Sequence, residues 1–284
     1  MQRYSCQNCG KKFQSQRRKQ RLAKKIWHDH VWKRQTVSDL TETYQCGEKT
    51  IRRKLDEVKL KKKKPIESQK VVAVFDATHL GEQTLLMARA PVIKVNLGAA
   101  WIESETKEAY AGLRFNIKQK GFDLLAVVLD GRRGIPTVFR DIPVQICQFH
   151  QLQIVRRKLT LRPETEAGQE LLQITFTIAK TTEINLQKQL TDWYKKYKTF
   201  INEKTYIIGT RRWRYTHRRV RSAYQSLNRN LPYLFTYQKF PDLNIPNTTN
   251  SLDGYWSRLK NLLSAHRGKS KERIMKMTEE ILRN

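Results

Sequence analysis

Two aspartates in this chain stand at positions where carboxylates can do chemistry. Asp76 follows the apolar, β-branched run in KVVAVFDATHL (70–80), and Asp130 follows the run in DLLAVVLDGRRGI (123–135). Each run reads as a buried strand leading into a turn. Taken singly, either acid is a strand-end residue capping the next turn. Taken together, two carboxylates at neighbouring strand ends repel each other unless a cation neutralises them. Hard oxygen ligands of this kind suit Mg²⁺ or Mn²⁺, which keep some waters and bind substrate phosphates. Two such ions activate a water or a 3′-hydroxyl and steady the leaving oxygen in phosphodiester chemistry. A third acid, Asp253, lies in NTTNSLDGYWSRLKNLLSAHRG (247–268). From the residues alone it is a first-turn helix acid three positions after Asn250, favourable to the helix dipole and to a box-like cap.

The elements that must position these acids follow from the pattern. After the first run, LLMARA (85–90) and LGAAWIES (97–104) are two further strand candidates. TKEAYAGLRFNIKQKG (106–121) places Ala109, Leu113 and Ile117 on one helical face, with Gly121 as a C-terminal stop. The strand before Asp130 comes next, then the shorter VQICQFH (144–150), which runs into a helical pattern. The order strand, strand, strand, helix, strand, helix, strand, helix predicts an α/β fold. Three antiparallel strands with parallel additions make a ribonuclease-H-like mixed sheet, in which the first and fourth strands are neighbours. A mainly helical stretch follows, rich in aromatic and basic residues: WYKKYKTF (193–200), RRWRYTHRRVR (211–221) and YLFTYQKF (233–240). Much of it reads as helix packing. Arg211, Trp213 and Arg214, in a segment with no clear apolar face, are candidates for stacking on bases or holding phosphates.

Upstream of the sheet, Val37 and Leu40 fit one short helix, and Ile51 and Leu55 sit a turn apart on a second. Tyr-Gln-Cys-Gly at 44–47 supplies the turn between them, which predicts a helix-turn-helix. Its second helix would present Lys49, Thr50, Arg52 and Arg53 to a DNA major groove; the alternative is a helical hairpin with a solvated basic face. LKKKK (60–64), closed by Pro65, is a linker or a phosphate-contacting arm. Near the start, RYSCQNCGKKF spaces Cys6 and Cys9 for a zinc knuckle, half of a ribbon. A structural zinc takes four ligands, so either His28 and His30 complete the set or the other half of the ribbon is missing at the N-terminus. Cys46 and Cys147 are the remaining cysteines. With no secretion signal, a disulfide framework is not expected.

Charge bounds the partner. The 284 residues include 56 Lys+Arg against 26 Asp+Glu, a net charge of +30. Such a surplus suits a polyanion, whose counterions are released on binding, so nucleic acid is the expected partner. No apolar run reaches the roughly 18 to 20 residues that a spanning helix needs, so no membrane association is expected.

At this point the chain resembles bacterial insertion-sequence transposases of the Mutator-like group, in the variant with an N-terminal zinc-ribbon-type segment. The resemblance rests on FDATH, VVLDGRRGI, the CxxH of VQICQFHQLQIVRRKL, RSAYQSLNRNLPYLFTY, and NIPNTTNSLDGYWSRLK with HRG downstream. It implies a ribonuclease-H-like core with a triad of acids, Asp76, Asp130 and Asp253, holding two Mg²⁺ or Mn²⁺ ions. The third position is usually Glu in that family; Asp253 is one methylene shorter. Cys147 and His150 match the family's CxxH, as groups supporting the site or positioning the DNA end, and His266 and Arg267 would reach the scissile phosphate. Residues 1–30 would be a partial zinc-ribbon-like segment and 31–64 the helix-turn-helix and basic linker. Residues 68–160 and 241–284 would form the catalytic core, and 161–240 a helical insertion. The implied activity is that of a DNA transposase acting on double-stranded DNA, at terminal inverted repeats and target DNA, as a homodimer or larger synaptic complex in the bacterial cytoplasm at the nucleoid. The alternative is a catalytically impaired or domesticated transposase that only binds DNA. A plain metal-dependent nuclease is a third reading.

Overall fold

The computed structural model describes residues 4–13, 16–60, 67–266 and 270–283. The chain divides into two compact units, Met1–Ile66 with Gly254–Asn284, and Glu67–Asp253.

In the first unit, strands β1 (Tyr4–Ser5) and β2 (Lys12–Phe13) form a short antiparallel ribbon around the CxxC turn. Helices α1 (Gln16–Trp32), α2 (Val37–Tyr44) and α3 (Glu48–Glu57) pack together, burying Ile26, Val31, Leu40, Ile51 and Leu55. Thr36 caps α2 reciprocally with Asp39, each side chain bonded to the other's backbone N–H at 3.2 and 2.8 Å. The chain leaves α2 through Gln45, at φ 47°, whereas Gly47 before α3 has φ −57°. Buried Asp29 ties α1 to α2: it accepts from the Tyr44 hydroxyl at 2.7 Å and faces Lys33 at 3.0 Å.

The second unit is built on a five-stranded mixed sheet. Its strands are β3 (Gln69–Leu80), β4 (Gln83–Ala90), β5 (Val95–Ile102), β6 (Phe122–Leu129) and β7 (Val144–Ile146), in the spatial order β5-β4-β3-β6-β7. β3, β4 and β5 pair antiparallel, while β6 and β7 join in parallel. That arrangement is compatible with a ribonuclease-H-like fold. Helix α4 (Lys107–Gln119) follows β5 and is capped by Thr106. It buries Tyr110, Leu113 and Ile117, so Tyr110 rather than Ala109 completes its inner face. Two local expectations fail. β7 stops at Ile146 instead of continuing to His150, because Cys147 already caps the next helix. Between β6 and β7 there is no α-helix but a 3₁₀ turn, Ile135–Phe139. Gly134 at φ 86° with Pro136 close behind starts that turn, and Pro143 ends the segment, leaving no room for a regular helix.

The rest of the unit comprises helices α5 (Gln148–Leu159), α6 (Glu166–Phe176) and α7 (Glu183–Asn202), strands β8 (Lys204–Tyr206) and β9 (Trp213–Tyr215), and helices α8 (Arg218–Leu234) and α9 (Thr236–Lys239). The helices share a core in which Trp193 and Tyr194 each stack on Tyr224 at 5.1 Å. The RRWRY stretch, expected within a helical region, is instead one arm of an antiparallel hairpin. Buried amides hold α8 to β7 and α5: Gln145 and Gln148 donate to the Leu234 carbonyl at 2.9 and 3.0 Å, and Asn230 donates to Gln151 at 2.7 Å.

Helix α10 (Asn250–Ser264) and helix α11 (Lys271–Arg283) complete the chain. Within the first unit, α11 secures the C-terminal end of α3. Lys276 donates to the carbonyls of Leu55 and Asp56, both at 2.8 Å, and Arg273 pairs with Asp56 at 2.7 Å. Among the described residues no helix is long and apolar enough to cross a membrane.

Candidate active site

The position of the first two acids depends on one irregularity. Along β3 and β6, Val71 lies opposite Leu124 but Val72 opposite Ala126, so Leu125 is an extra residue. This bulge shifts everything after it by one residue and brings Val74 opposite Val128, the last pair of the ladder. Two residues further on come Asp76, still within β3, and Asp130, just past the end of β6. Without the bulge, Leu129 would take the place of Asp130, and the second acid would belong to the opposite face. Asp76 is therefore not at the end of its strand, since β3 continues to Leu80 against β4. It marks the end of the parallel pairing, beyond which no strand covers it on the β6 side.

Asp76 is buried, and Asp130 is half-buried and accepts the Arg132 N–H at 3.0 Å. Gly131, between them, has φ 82° and packs so tightly that a Cβ would lie 2.9 Å from Ile146. Only glycine fits there. Arg132 in turn pairs with Glu105 at 3.3 Å, and the Tyr110 hydroxyl donates to Glu105 at 3.1 Å. Burial, followed by the charges of Asp130, Glu105 and Asp76, pushes the Tyr110 phenol well above its ordinary value.

A second set of contacts draws in distant segments. Cys147, fully buried just after β7, caps α5 by accepting the His150 N–H at 3.5 Å. Thr249, just before α10 and also buried, donates its backbone N–H to the Cys147 sulfur at 3.3 Å. The Thr249 hydroxyl lies 3.3 Å from His150 Nδ1 and 3.4 Å from Asp253 Oδ2. The same hydroxyl also lies 3.5 Å from the Cys147 sulfur, so its single proton is shared between two acceptors, Cys147 and Asp253. The Cys147 sulfur, as hydrogen-bond partner, raises the His150 imidazole most. Burial opposes this, and the charges of Cys147, Asp76 and Asp130 raise it further, to about 9. Burial pushes the Cys147 thiol up, but hydrogen bonds from His150 and Thr249 outweigh it and leave the thiol below its ordinary value. Asp76 and Asp130 thus act on the same two neighbours, Tyr110 and His150, and Asp253 is linked to His150 through one hydroxyl.

The donor set suits a hard divalent ion. It consists of carboxylate oxygens, and placing two of them close together is unfavourable without positive charge nearby. Among the described residues, no three His, Cys, Asp or Glu side chains are gathered into a ready-made metal cage. The fit is therefore one of donor chemistry at the end of the sheet.

Other candidate residues lie elsewhere. Asn250 is the exposed first residue of α10. His266 is buried in the first unit, its ring 4.1 Å from that of His30; Arg267 lies outside the described residues. His79 bonds across the strand pair to Thr84 at 2.9 Å. On α3, Lys49, Arg52 and Arg53 are exposed and Thr50 is half-buried. Arg52 and Arg53 face Glu48 and Glu57 of the same helix at 2.5 and 3.8 Å, and exposed pairs of this kind are weak enough to exchange for phosphate. Arg211, Trp213 and Arg214 are exposed on the hairpin. Cys6 and Cys9 form the knuckle turn, and backbone N–H groups of Cys9 and Asn8 lower the Cys6 thiol, as a thiolate ligand requires. His28 and His30, the proposed completing ligands, contact Asp29 and the Gln35 carbonyl instead. Sequence reasoning overlooked Thr249, Glu105 and Arg132. Thr249 and Arg132 stood within quoted motifs, TTN and DGRRG, but nothing local assigns them a partner.

No family model matches the chain, and no curated protein matches it. Among solved structures, the Drosophila P element transposase strand transfer complex is similar to it at a TM-score of 0.39 and 12% identity, over 98% of this chain and 93% of that chain. A likeness of that degree carries no argument. The comparisons assign no family.

Proposed function

We propose that the chain is a metal-dependent DNA transposase of the type that its motifs resemble, binding terminal inverted repeats and carrying out phosphodiester hydrolysis and strand transfer. The observation that supports this reading most is the register shift at Leu125, after which Asp76 and Asp130 each follow the last β3–β6 pair, Val74 and Val128, by two residues. Asp76, Asp130 and Asp253 would hold the Mg²⁺ or Mn²⁺. Bound there, the ions would activate a water or a 3′-hydroxyl and offset charge on the leaving oxygen. Thr249 fixes the Asp253 carboxylate, while the His150 imidazolium balances the negative charge of the acids and can face a phosphate oxygen. Helix α3 would lie in the major groove with Lys49, Thr50, Arg52 and Arg53 toward DNA, and Cys6 with Cys9 would supply two of four zinc ligands. Synapsis of two DNA ends implies at least a dimer.

The test is cleavage of a labelled duplex ending in the inverted repeat that brackets the coding sequence, with Mn²⁺ or Mg²⁺. Nicking at the repeat end that disappears in Asp130→Asn, with binding retained, supports the enzyme. A rise in Asp253→Glu shows that the shorter carboxylate limits it, since a displacement of about 1 Å can cost on the order of 10²-fold. A duplex that is bound but never cut, even by Asp253→Glu, favours a DNA-binding protein without catalysis.

A further inference from the structure

A second surface of the sheet-bearing unit carries a different set of features. From Lys204 to Pro241 the sequence contains no acidic residue. Within this stretch, β8 and β9 form a hairpin anchored firmly at its base. The Thr216 N–H donates to the Glu203 carbonyl at 2.9 Å, His217 contacts the Glu203 carboxylate at 2.9 Å, and the His217 ring stacks on Phe200 at 3.5 Å. Its tip is a well-bonded turn: Ile207 N–H donates to the Arg212 carbonyl at 2.9 Å, and Thr210 N–H to the Ile207 carbonyl at 3.1 Å. Yet the hairpin's apolar side chains are exposed, although Trp213 packs edge-on against Tyr215 and beneath the Lys204 ammonium. Ile208 is 99% exposed, Tyr206 67%, Ile207 44% and Trp213 43%. Isolated surface apolar residues are common, but four on one hairpin are not. Arg211, Arg212 and Arg214 flank them and are exposed.

The same hairpin forms one wall of a pocket of about 460 Å³, which also draws on the α5–α6 connection and the start of α8. Its lining includes Lys158, Arg162, Arg214, Arg218 and Arg219, against Glu164 as its one carboxylate. Lys158 is held by the Ser222 hydroxyl at 2.5 Å, and none of the five cations has a carboxylate partner among the described residues. A concentration of unpaired guanidinium groups in a concave site suits phosphate oxygens.

We propose that pocket and hairpin together form a clamp for double-stranded DNA, in which the pocket holds a backbone phosphate and the Ile207–Ile208 tip wedges into a base step. Arginines beside an apolar wedge are what a duplex needs if it is to be kinked and held, because the unstacked step exposes apolar faces between two rails of negative charge. The inference rests on the reading that the chain acts on DNA, but not on catalysis. It assigns the clamp residues outside the acid-bearing end of the sheet, with Arg162, Arg218, Ile207 and Ile208 as its determinants.

The experiment uses the full chain carrying Asp130→Asn, so that no strand is cut, and a duplex with 2-aminopurine at successive positions. The expected result is a several-fold rise in fluorescence at one step on binding. Ile207→Ser with Ile208→Ser abolishes the rise and leaves Kd within about threefold, as a wedge rather than an anchor requires. Arg162→Ala with Arg218→Ala weakens binding at least about tenfold and lowers the salt slope by about one, for the one phosphate that the pocket holds. Circular dichroism checks that both variants fold. No rise in the parent, a rise unchanged in the tip variant, or affinity and slope unchanged in the pocket variant overturns the clamp while DNA binding stands. A nucleoside triphosphate that binds the parent but not the pocket variant, with duplex affinity equal in both, would give the pocket to a free nucleotide and also overturn it. Failure of the parent to bind any duplex would defeat the transposase reading itself.

Discussion

Thr249 and His150 show how a few atoms can set the charge state of the candidate site. His150 lies in a field of negative groups, and its imidazole is raised to about 9, so it is charged near neutrality. Because the folded value lies above the ordinary 6.5, His150 contributes stability fully below about pH 6.5 and loses that contribution as pH rises through about 9. The expected titration midpoint in the metal-free protein, read by NMR of the imidazole, is near 9. The Cys147 sulfur is the largest cause of the shift, so Cys147→Ser is expected to bring the midpoint down toward the ordinary value. A midpoint unchanged in Cys147→Ser would show that the carboxylates alone hold the charge. Cys147 is a buried thiol and His150 stands in the first turn of α5. Their common partner, Thr249, lies 102 positions from Cys147, and no local pattern connects them.

Among the elements, the loop after β6 is the most constrained. Gly131 at φ 82° has Ile146 on one side and the Asn230 amide 3.3 Å from where a Cβ would stand. Gly131→Ala is expected to cost about 1–3 kcal/mol from backbone strain alone, seen as a lower urea midpoint with an unchanged slope. Contact with Asn230 would transmit the shift to α8. An alanine variant as stable as the parent would mean that the turn can re-form without a left-handed residue. That a turn follows the apolar run before Asp130 was legible in the sequence. The strand periods were legible too, since β3, β4 and β6 are long apolar runs buried on both faces. The hairpin was not. Its strands are three residues each, its apolar side chains point to water, and a cluster of arginines reads equally as a solvated helix face. Tyr-Ile-Ile-Gly-Thr before the arginines, two β-branched residues and then a glycine, carried the only local hint of a turn.

For the whole molecule, a net charge of +30 makes salt the main experimental lever. If the basic surfaces of both units contact phosphates, duplex affinity measured by fluorescence anisotropy should fall about 10³-fold or more between 50 and 200 mM salt. A loss under tenfold would mean that most of the charge is not directed at DNA. Composition alone thus carries the expectation of a polyanionic partner, because charge is a sum over residues and needs no coordinates. Hydrophobic period likewise determined the strands that carry Asp76 and Asp130, since burial of a continuous run is a local property. Only the tertiary structure decided that these acids stand in phase, through one extra residue at Leu125. It alone joined Asp253 to His150 and placed an apolar-tipped hairpin beside a basic pocket. Register and long-range contact are fixed by how packed elements meet, and residues 100 positions apart carry no local record of it.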